Sequence, residues 1–400
     1  MSGDERSITG LGRTRDLSRL QRVLTELARW GSDRDWIGAD PYEGLNTPVS
    51  PLLRRSKPAM QAAIQLYRRL PVPPPWPLRA TARPNAKVTG LVLSAYCLPA
   101  SPPLEDAERW RRRLTERLIS LRLAENGAWG YHFDVQTRHL FYPATSANAI
   151  STCFAIRGLL DGYESGVLPR GAELAAGAKP FLASLWTRHP EFGPYFAYVA
   201  SGSELIHNAN LMVAGTLARL LAHDPDPALE LRVHAAVETS ARLRRSDGLW
   251  PYGERSDLGW RDNFHTAYAL EGLTRVQVRS EELGSLLEEA TASWLDAFFD
   301  SSGAARYHPD RDHPIDAHSA ASAIDALCVL AAARPDPSTL LDKATQIAER
   351  AVDLLWLPQK GRFANQVNAR FTNRREFMRW TNAPMFEALA RLLSSRSALS

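Results

Sequence analysis

The chain has 400 residues, 44% of them hydrophobic, enough apolar material for one large core, and no Gly/Ser-rich or like-charge block divides it. Its 48 Lys and Arg against 44 Asp and Glu leave a net charge of only +4, and the arginines are dispersed instead of forming the stripe that tracks a phosphate backbone, which argues against nucleic acid as a partner. No apolar run of about 18 residues occurs, and the MSGDERSITG start lacks an apolar targeting core, so a cytoplasmic chain with no transmembrane segment is expected.

In chain order, residues 1–80 read as a helix followed by an irregular packing or lid segment, DWIGADPYEGLNTPVSPLLRRSKP, dense in turn formers and aromatics. It is too polar for a core strand and too aromatic for a free tail. It should lie across one end of the fold as a structural lid, with Asp40, Tyr42 and Asn46 its candidates for reaching a site. VPPPWP is a stiff connector.

From residue 81 to 400 the text repeats. The units are PNAKVTGLVLSAYCL; NGAWGYHFD leading into TSANAISTCFAIRGLL; FGPYFAYV leading to HNANLMVAGTLARLL; DGLWPYGERSDLGWRD leading into NFHTAYALEGL; SGAARYHPD leading into IDAHSAASAIDALCVLAA; and KGRFANQVNAR leading into TNAPMFEALARLL. Asn85, Asn148, Asn208, Asn263, His318 and Asn382 mark six helix starts spaced 55 to 64 residues apart, room for two helices and two connections each. The marker helices read as apolar nearly all round, whereas segments between them, such as PLEDAERWRRRLTERLISLRLA, are amphipathic with a charged face. Buried helices alternating with faced ones predict an all-α (α/α)6 toroid, an inner ring wrapped by an outer ring, with little strand. Cys97, Cys153 and Cys328 sit in apolar helical text and read as packing residues with no disulfide.

Inner helices that share one direction gather their amino ends, and the polar clusters there, around one mouth that favours anionic or oxygen-rich ligands. Ordinary capping accounts for Ser146, Asn208, Asp262 or Asn263, Asp316 and Thr381. It accounts less well for His207, His265 and His318 in the first helical turn. Substrate binding is therefore assigned to Trp129, Tyr131, Asp134, Gln136, Asn148, His207, Asn208, Trp250 and Asn263, since aromatic faces stack on sugar rings and amides or carboxylates bind hydroxyls. Acid/base chemistry is assigned to Asp262, His265, Tyr252, Glu254, Asp316 and His318. Two carboxylates among Glu254, Asp262, Asp316 and Asp134 would make a glycosidase; His265 or Tyr252 as base, with Arg255 or Arg261 neutralising a uronate, would make a lyase or epimerase. The pattern leaves both open. Asp262, His265, Asp316 and His318 also form a weak metal-ligand pattern without HExxH or paired CxxC, so no metal or cofactor is assigned.

The motifs DPYEGLN, RPNAKVTGLVLSAY, WGYHFDVQTR, HNANL, GLWPYGE, DNFHTAYALEGL and PIDAHSAASAI, occurring in that order from about Trp36 to Leu393, resemble a family of α/α-toroid proteins encoded among bacterial surface-polysaccharide biosynthesis genes, with squalene-cyclase-like or prenyltransferase-like folds. The resemblance implies the toroid, a glycan or sugar-containing substrate and other polysaccharide-assembly proteins as partners. It carries over no catalytic residue. The chain departs from class II terpene cyclases at Asp310-Arg311-Asp312-His313, which lacks the last acid of Asp-x-Asp-Asp, and it has no Asp-x-Cys zinc pair. A terpene-cyclase-like enzyme would need a barrel lined by Phe, Trp and Leu. A non-catalytic glycan-binding scaffold is the remaining alternative.

Overall fold

A computed structural model describes residues 17–99, 103–136, 141–277 and 283–399; the start of the chain, on which the targeting expectation rests, lies outside them. Helix α1 (Ser18–Ser32) is followed by the short α2 (Ser50–Leu53) and by α3 (Lys57–Arg69). Then α4 (Ala86–Cys97), α6 (Ala149–Glu164), α9 (His207–His223), α11 (Asn263–Gln277), α13 (Ala317–Ala332) and α15 (Ala383–Ser397) alternate with α5 (Ala107–Ser120), α7 (Gly171–Ala176) and α8 (Lys179–Ser184), α10 (Pro227–Arg242), α12 (Gly284–Phe298) and α14 (Ser338–Leu355). Each helix of the first set packs on the next, and α15 packs back on α4, so the set closes into an inner ring. The second set packs outside it, and α1 completes the outer ring by lying against α14 and α15. All six sequence markers fall within one residue of the start of an inner helix.

Local chemistry starts these helices. Asn85 accepts the Lys87 and Val88 N–H groups, Asn148 that of Ser151, and Asp316 that of Ser319; each such cap stabilises its helix by about 1 kcal/mol. Three expected caps do not act as such. Asn208 sits inside the first turn of α9, whose cap position is Ile206. Thr381 lies in a π-helical turn (Met378–Asn382) ahead of α15, its hydroxyl on Asn365 Oδ1. Ser146 lies two residues ahead of the α6 cap, Asn148.

Close packing needs missing side chains at two seams. A Cβ on Gly90 would collide with the Phe154 carbonyl and one on Gly158 with the Gly90 carbonyl, joining α4 to α6; Gly272 meets the Leu211 carbonyl in the same way, joining α11 to α9. The inner helices run parallel. Phe264 and His318, each the second residue of its helix, lie 4.9 Å apart, and Arg157, Glu271 and Asp325, each the ninth residue, are ion-paired. All six amino ends therefore share one end of the barrel.

Strands are only two to four residues long: β1 (Val135–Gln136) with β2 (Phe141–Tyr142), β3 (Trp186–His189) with β4 (Gly193–Phe196), and β6 (Trp356–Leu357) with β7 (Arg362–Phe363). The three-stranded β5 (Ile315–Asp316), β8 (Gln366–Val367) and β9 (Thr372–Asn373) ties the loop before α13 to the loop before α15 through Asp316–Gln366 and Gln366–Asn373 pairing. No helix of the described residues is long and apolar enough to cross a membrane.

The inner helices are not apolar all round. Halfway down and below they turn Arg157, Arg219, Arg275 and Arg391 against Asp161, Glu271, Asp325 and Glu387; Arg157 and the four carboxylates are buried, and the other three arginines are nearly so. Arg157 pairs with Glu271 and Asp325, Arg391 reaches Asp325 and Glu387 at 2.6 Å each and Asp161 at 2.7 Å, and Arg219 holds Asp161 at 2.7 Å. The four cations offset the four carboxylates. Burial, with Asp325 beside it, pushes the Glu387 carboxyl up to about 7, whereas three arginines and the Ser94 hydroxyl overcome burial at Asp161 and hold its carboxyl far below the usual range. This plug also removes the apolar deep pocket that a terpene-cyclase-like reading requires.

Candidate active site at the amino ends of the inner helices

Asp262 serves two functions at the start of α11. Its Oδ1 accepts the His265 backbone N–H at 3.0 Å, which holds the first turn, and its Oδ2 lies 2.7 Å from His265 Nδ1. The Asp262 carboxylate is fully buried while the His265 imidazole is 24% exposed, so a sheltered anion orients a ring that solvent reaches. With Nδ1 donating to the carboxylate, Nε2 is the lone-pair nitrogen. The ring lies 4.6 Å from that of Tyr252, which is stacked on Trp260 at 4.5 Å. Burial, reinforced by Tyr131, Tyr142 and Asp262, pushes the Tyr252 hydroxyl well above its ordinary range, which keeps it a protonated hydrogen-bond donor. Across the mouth the Tyr131 and Tyr198 hydroxyls meet at 2.5 Å.

Beneath this surface runs a hydrogen-bond chain with one consistent direction. Lys87 Nζ donates to the Tyr268 hydroxyl at 3.2 Å, Tyr268 donates to His318 Nε2 at 2.9 Å, and His318 Nδ1 donates to the Trp380 carbonyl at 2.7 Å. His318 also stacks on Trp380 at 4.3 Å. Burial drives both Lys87 and His318 well below their ordinary values, and nearby cations add to the effect, so the site favours the uncharged form of each.

The amino-terminal segment roofs the mouth. Asp40 pairs with Arg379, Tyr42 packs edge-on against Trp380 at 5.2 Å, and Glu43 is 3.1 Å from His132. Asp40 and Tyr42 thus reach the mouth. Asn46 instead ties its own segment together through Glu43 and the Thr81 carbonyl. Beside the roof opens a pocket of about 380 Å³ lined by Arg68, Tyr307, Asn365, Gln366, Asn373 and Trp380 among others.

The structure sorts the residues singled out in the sequence. Tyr131, Tyr252, Asp262 and His265 come together at the mouth, with His318 just below. Trp129 and Trp250 do not face it: their indole N–H groups donate to the Leu118 and Ser240 carbonyls at 2.8 and 2.7 Å, closing the last turns of α5 and α10. Each tryptophan stands two residues after a glycine turn, Gly127 or Gly248, and anchors that turn to the outer helix before it. Asn263 accepts from the Trp294 indole and donates to the Arg306 carbonyl. His207 turns outward to Ser240 and Glu254, and Glu254 also holds Arg245; burial lowers the His207 value, and His207 and Arg245 lower Glu254 despite its burial. Asp134 is taken by Arg54 and the Ala144 N–H, Asn148 caps α6, and Gln136 lies in β1. Asp316 caps α13, and its Oδ2 accepts from Gln366 at 2.8 Å; burial raises its pKa. Asn208 is buried with its Oδ1 unpartnered. The two arginines offered for a uronate are also committed: Arg255 to Glu204 and Asp257, Arg261 to Asp247. Among the described residues no three or more His, Cys, Asp or Glu side chains gather as a metal-binding group.

Sequence reasoning passed over Lys87, Arg68, Tyr268, Tyr307, Arg379 and Trp380. Lys87 could have been noticed, since a lysine in the apolar text NAKVTGLVL has no solvent-facing stripe to occupy. The others depend on contacts made across the ring.

No family model and no curated protein matches the chain by sequence. Solved structures do match its shape. An unsaturated glucuronyl hydrolase specific for heparin superimposes with a TM-score of 0.61 at 12% identity, over 95% of this chain and 98% of that one. The GH76 α-mannanase of Bacteroides thetaiotaomicron gives 0.60 at 14% identity, over 79% and 87%. A sugar epimerase from a ruminal bacterium gives 0.58 at 13% identity, over 78% and 86%. The fold is an (α/α)6 toroid. At these identities the likeness speaks for architecture, and it is shared with toroids named as epimerases and as hydrolases of carbohydrate.

Proposed function

We propose that the protein is a carbohydrate-active enzyme of the epimerase or lyase type, with His265 Nε2 as the base that takes a proton from a sugar carbon; an epimerase then returns a proton to that carbon, whereas a lyase expels the oxygen substituent on the neighbouring carbon, which leaves with a proton as a double bond forms. The observation that carries this reading is the 2.7 Å contact between buried Asp262 Oδ2 and His265 Nδ1, on an imidazole open to the mouth. Asp262 fixes the tautomer and steadies the imidazolium that forms when Nε2 takes a proton, and Tyr252, kept protonated, is placed to hydrogen-bond a sugar oxygen on which charge develops. The Tyr252–Trp260 stack offers a ring face to a pyranose.

Two-carboxylate hydrolysis is less well supported. The mouth carboxylates each have a partner: Asp40 has Arg379, Glu43 has His132, Asp262 has His265 and Asp316 has Gln366, which leaves no spare acid and base pair among them. Sugar epimerases and sugar hydrolases both occur among proteins of this fold, so the choice rests on the geometry of the site. The motif order in the sequence supports a place in surface-polysaccharide assembly, which the surface glycan of a deletion strain would test.

Incubation of candidate sugars and uronates in D2O distinguishes the reactions. Wild type should either place deuterium on a sugar carbon or release an unsaturated sugar, and His265→Ala should slow this by roughly 10²- to 10⁴-fold, the range of a lost general base, with little change in thermal unfolding. Hydrolysis with neither carbon-bound deuterium nor an unsaturated product, or either reaction surviving His265→Ala, overturns the proposal.

A further inference from the structure

Arg68 differs from the other cations around the mouth. Arg379, Arg255 and Arg261 each hold a carboxylate, and the barrel arginines hold several. The Arg68 guanidinium lies 5.3 Å over the Tyr42 ring and donates to the Tyr307 hydroxyl at 3.4 Å, and no described carboxylate pairs with it. Its pKa stays above the ordinary arginine value despite burial, raised chiefly by neighbouring Tyr42. A half-buried, permanently charged fork with its bidentate edge unused forms one wall of the 380 Å³ pocket.

The opposite wall supplies donors as well. Asn365 spends its Oδ1 on the Thr381 hydroxyl and Asn373 its Oδ1 on the Arg375 N–H, so each of these pocket-lining residues keeps an amide nitrogen with no described acceptor. Two carboxylates lie close to the pocket: Asp316, held by the Gln366 amide at 2.8 Å, and Asp262, held by His265 at 2.7 Å. Trp380 and Tyr307 give flat aromatic surface. Both rings also pack against Phe264, the neighbour of His265, so the pocket borders the Asp262–His265 pair.

We propose that this pocket binds the acidic group of a sugar, a carboxylate or a sulfate, on Arg68, with Asn365 and Asn373 donating to its oxygens. The inference rests on the carbohydrate reading for the ring and is independent of His265 for the chemistry. It makes the substrate an acidic glycan unit, bound with its charge in the Arg68 pocket and the rest of the ring extended towards His265.

The test is binding of D-glucuronate, D-glucose 6-sulfate and D-glucose, measured by calorimetry on the full chain, as wild type and in the His265→Ala background. At least one acidic sugar should bind tenfold or more tightly than glucose, and Arg68→Gln should remove that advantage while changing glucose binding less than twofold. Arg68→Lys should restore part of it. Which acid binds more tightly identifies the group as carboxylate or sulfate. Glucose binding as well as both acids, or acid binding unchanged in Arg68→Gln, overturns the inference. Should the Arg68 variants fail to fold, the salt dependence of wild type decides: acid binding that does not weaken with added NaCl overturns it and weakening upholds it. Arg68-dependent binding that persists in His265→Ala stands even if deuterium exchange is never seen, and His265-dependent exchange on neutral sugars alone removes the Arg68 proposal without touching the catalytic one.

Discussion

At mid-barrel, Arg157, Arg219, Arg275 and Arg391 meet Asp161, Glu271, Asp325 and Glu387 in a network whose charges offset one another. At the amino ends of the same helices, Lys87 donates to a tyrosine, Arg68 to another, and His265 presents an open nitrogen beside a buried carboxylate. Removing a charge from water is costly, so a charge that serves the fold is found with its counter-charge. The mouth keeps Arg68 with no described carboxylate beside it, and a ligand can supply one. This contrast is a better guide to the site than polarity, because the plug is the more polar of the two regions.

The largest effect on this comparison should come from Arg157→Met. It leaves Glu271 and Asp325 short of their shared cation, and urea unfolding should show a loss of about 3–5 kcal/mol, the range for breaking a buried ion pair. A loss below about 1 kcal/mol would mean the barrel tolerates uncompensated charge, and the distinction between plug and mouth would fail.

Trp250→Phe should cost less, about 1–3 kcal/mol from the unsatisfied Ser240 carbonyl and the smaller ring, with binding of acidic sugars unchanged. Lost binding at full stability would return Trp250 to the site.

The smallest effect concerns His318. Burial lowers its pKa in the folded chain, so above about pH 6.5 both states hold it neutral, while below that value only the unfolded state takes a proton. Its contribution is fully present above pH 6.5 and is lost as the pH falls towards the folded value. The stability advantage of wild type over His318→Phe should therefore shrink by up to about 1.4 kcal/mol per pH unit below 6.5, and urea midpoints at pH 7, 6 and 5 would show it. A constant difference would mean that the fold leaves the His318 pKa where it is in the unfolded chain, and an advantage that grows as the pH falls towards 6.5 would mean that the fold holds His318 protonated. Glu387, raised to about 7, works in the opposite sense in the same window but cancels in this difference.

The sequence carried most of the architecture and part of the site. Asn85, Asn148 and Asp316 could be read as helix starts because capping is a contact between neighbours in the chain. Asp262 and His265 could be paired by reading alone for the same reason: three residues apart across a helix start, they are within reach whatever the rest of the chain does. His207 and Glu254 are 47 residues apart, and nothing local says that the imidazole turns outward to meet the carboxylate between α9 and α10. The charged plug was hidden by averaging, since one to three ionic residues in each long, otherwise apolar helix leave it looking apolar.

Chain-local chemistry by itself therefore determined the helices, their spacing, their alternation of buried and faced types and the orientation of one acid–histidine pair. Only closure of the ring decided which charges meet, that α1 takes the sixth outer position, and that Arg68, on α3, faces Tyr307 across 239 residues with no carboxylate of the described residues paired to it. The physical reason is one of range: hydrogen-bond caps and hydrophobic periods act within a few residues, whereas the cost of burying a charge is set by whichever distant groups the completed barrel brings beside it.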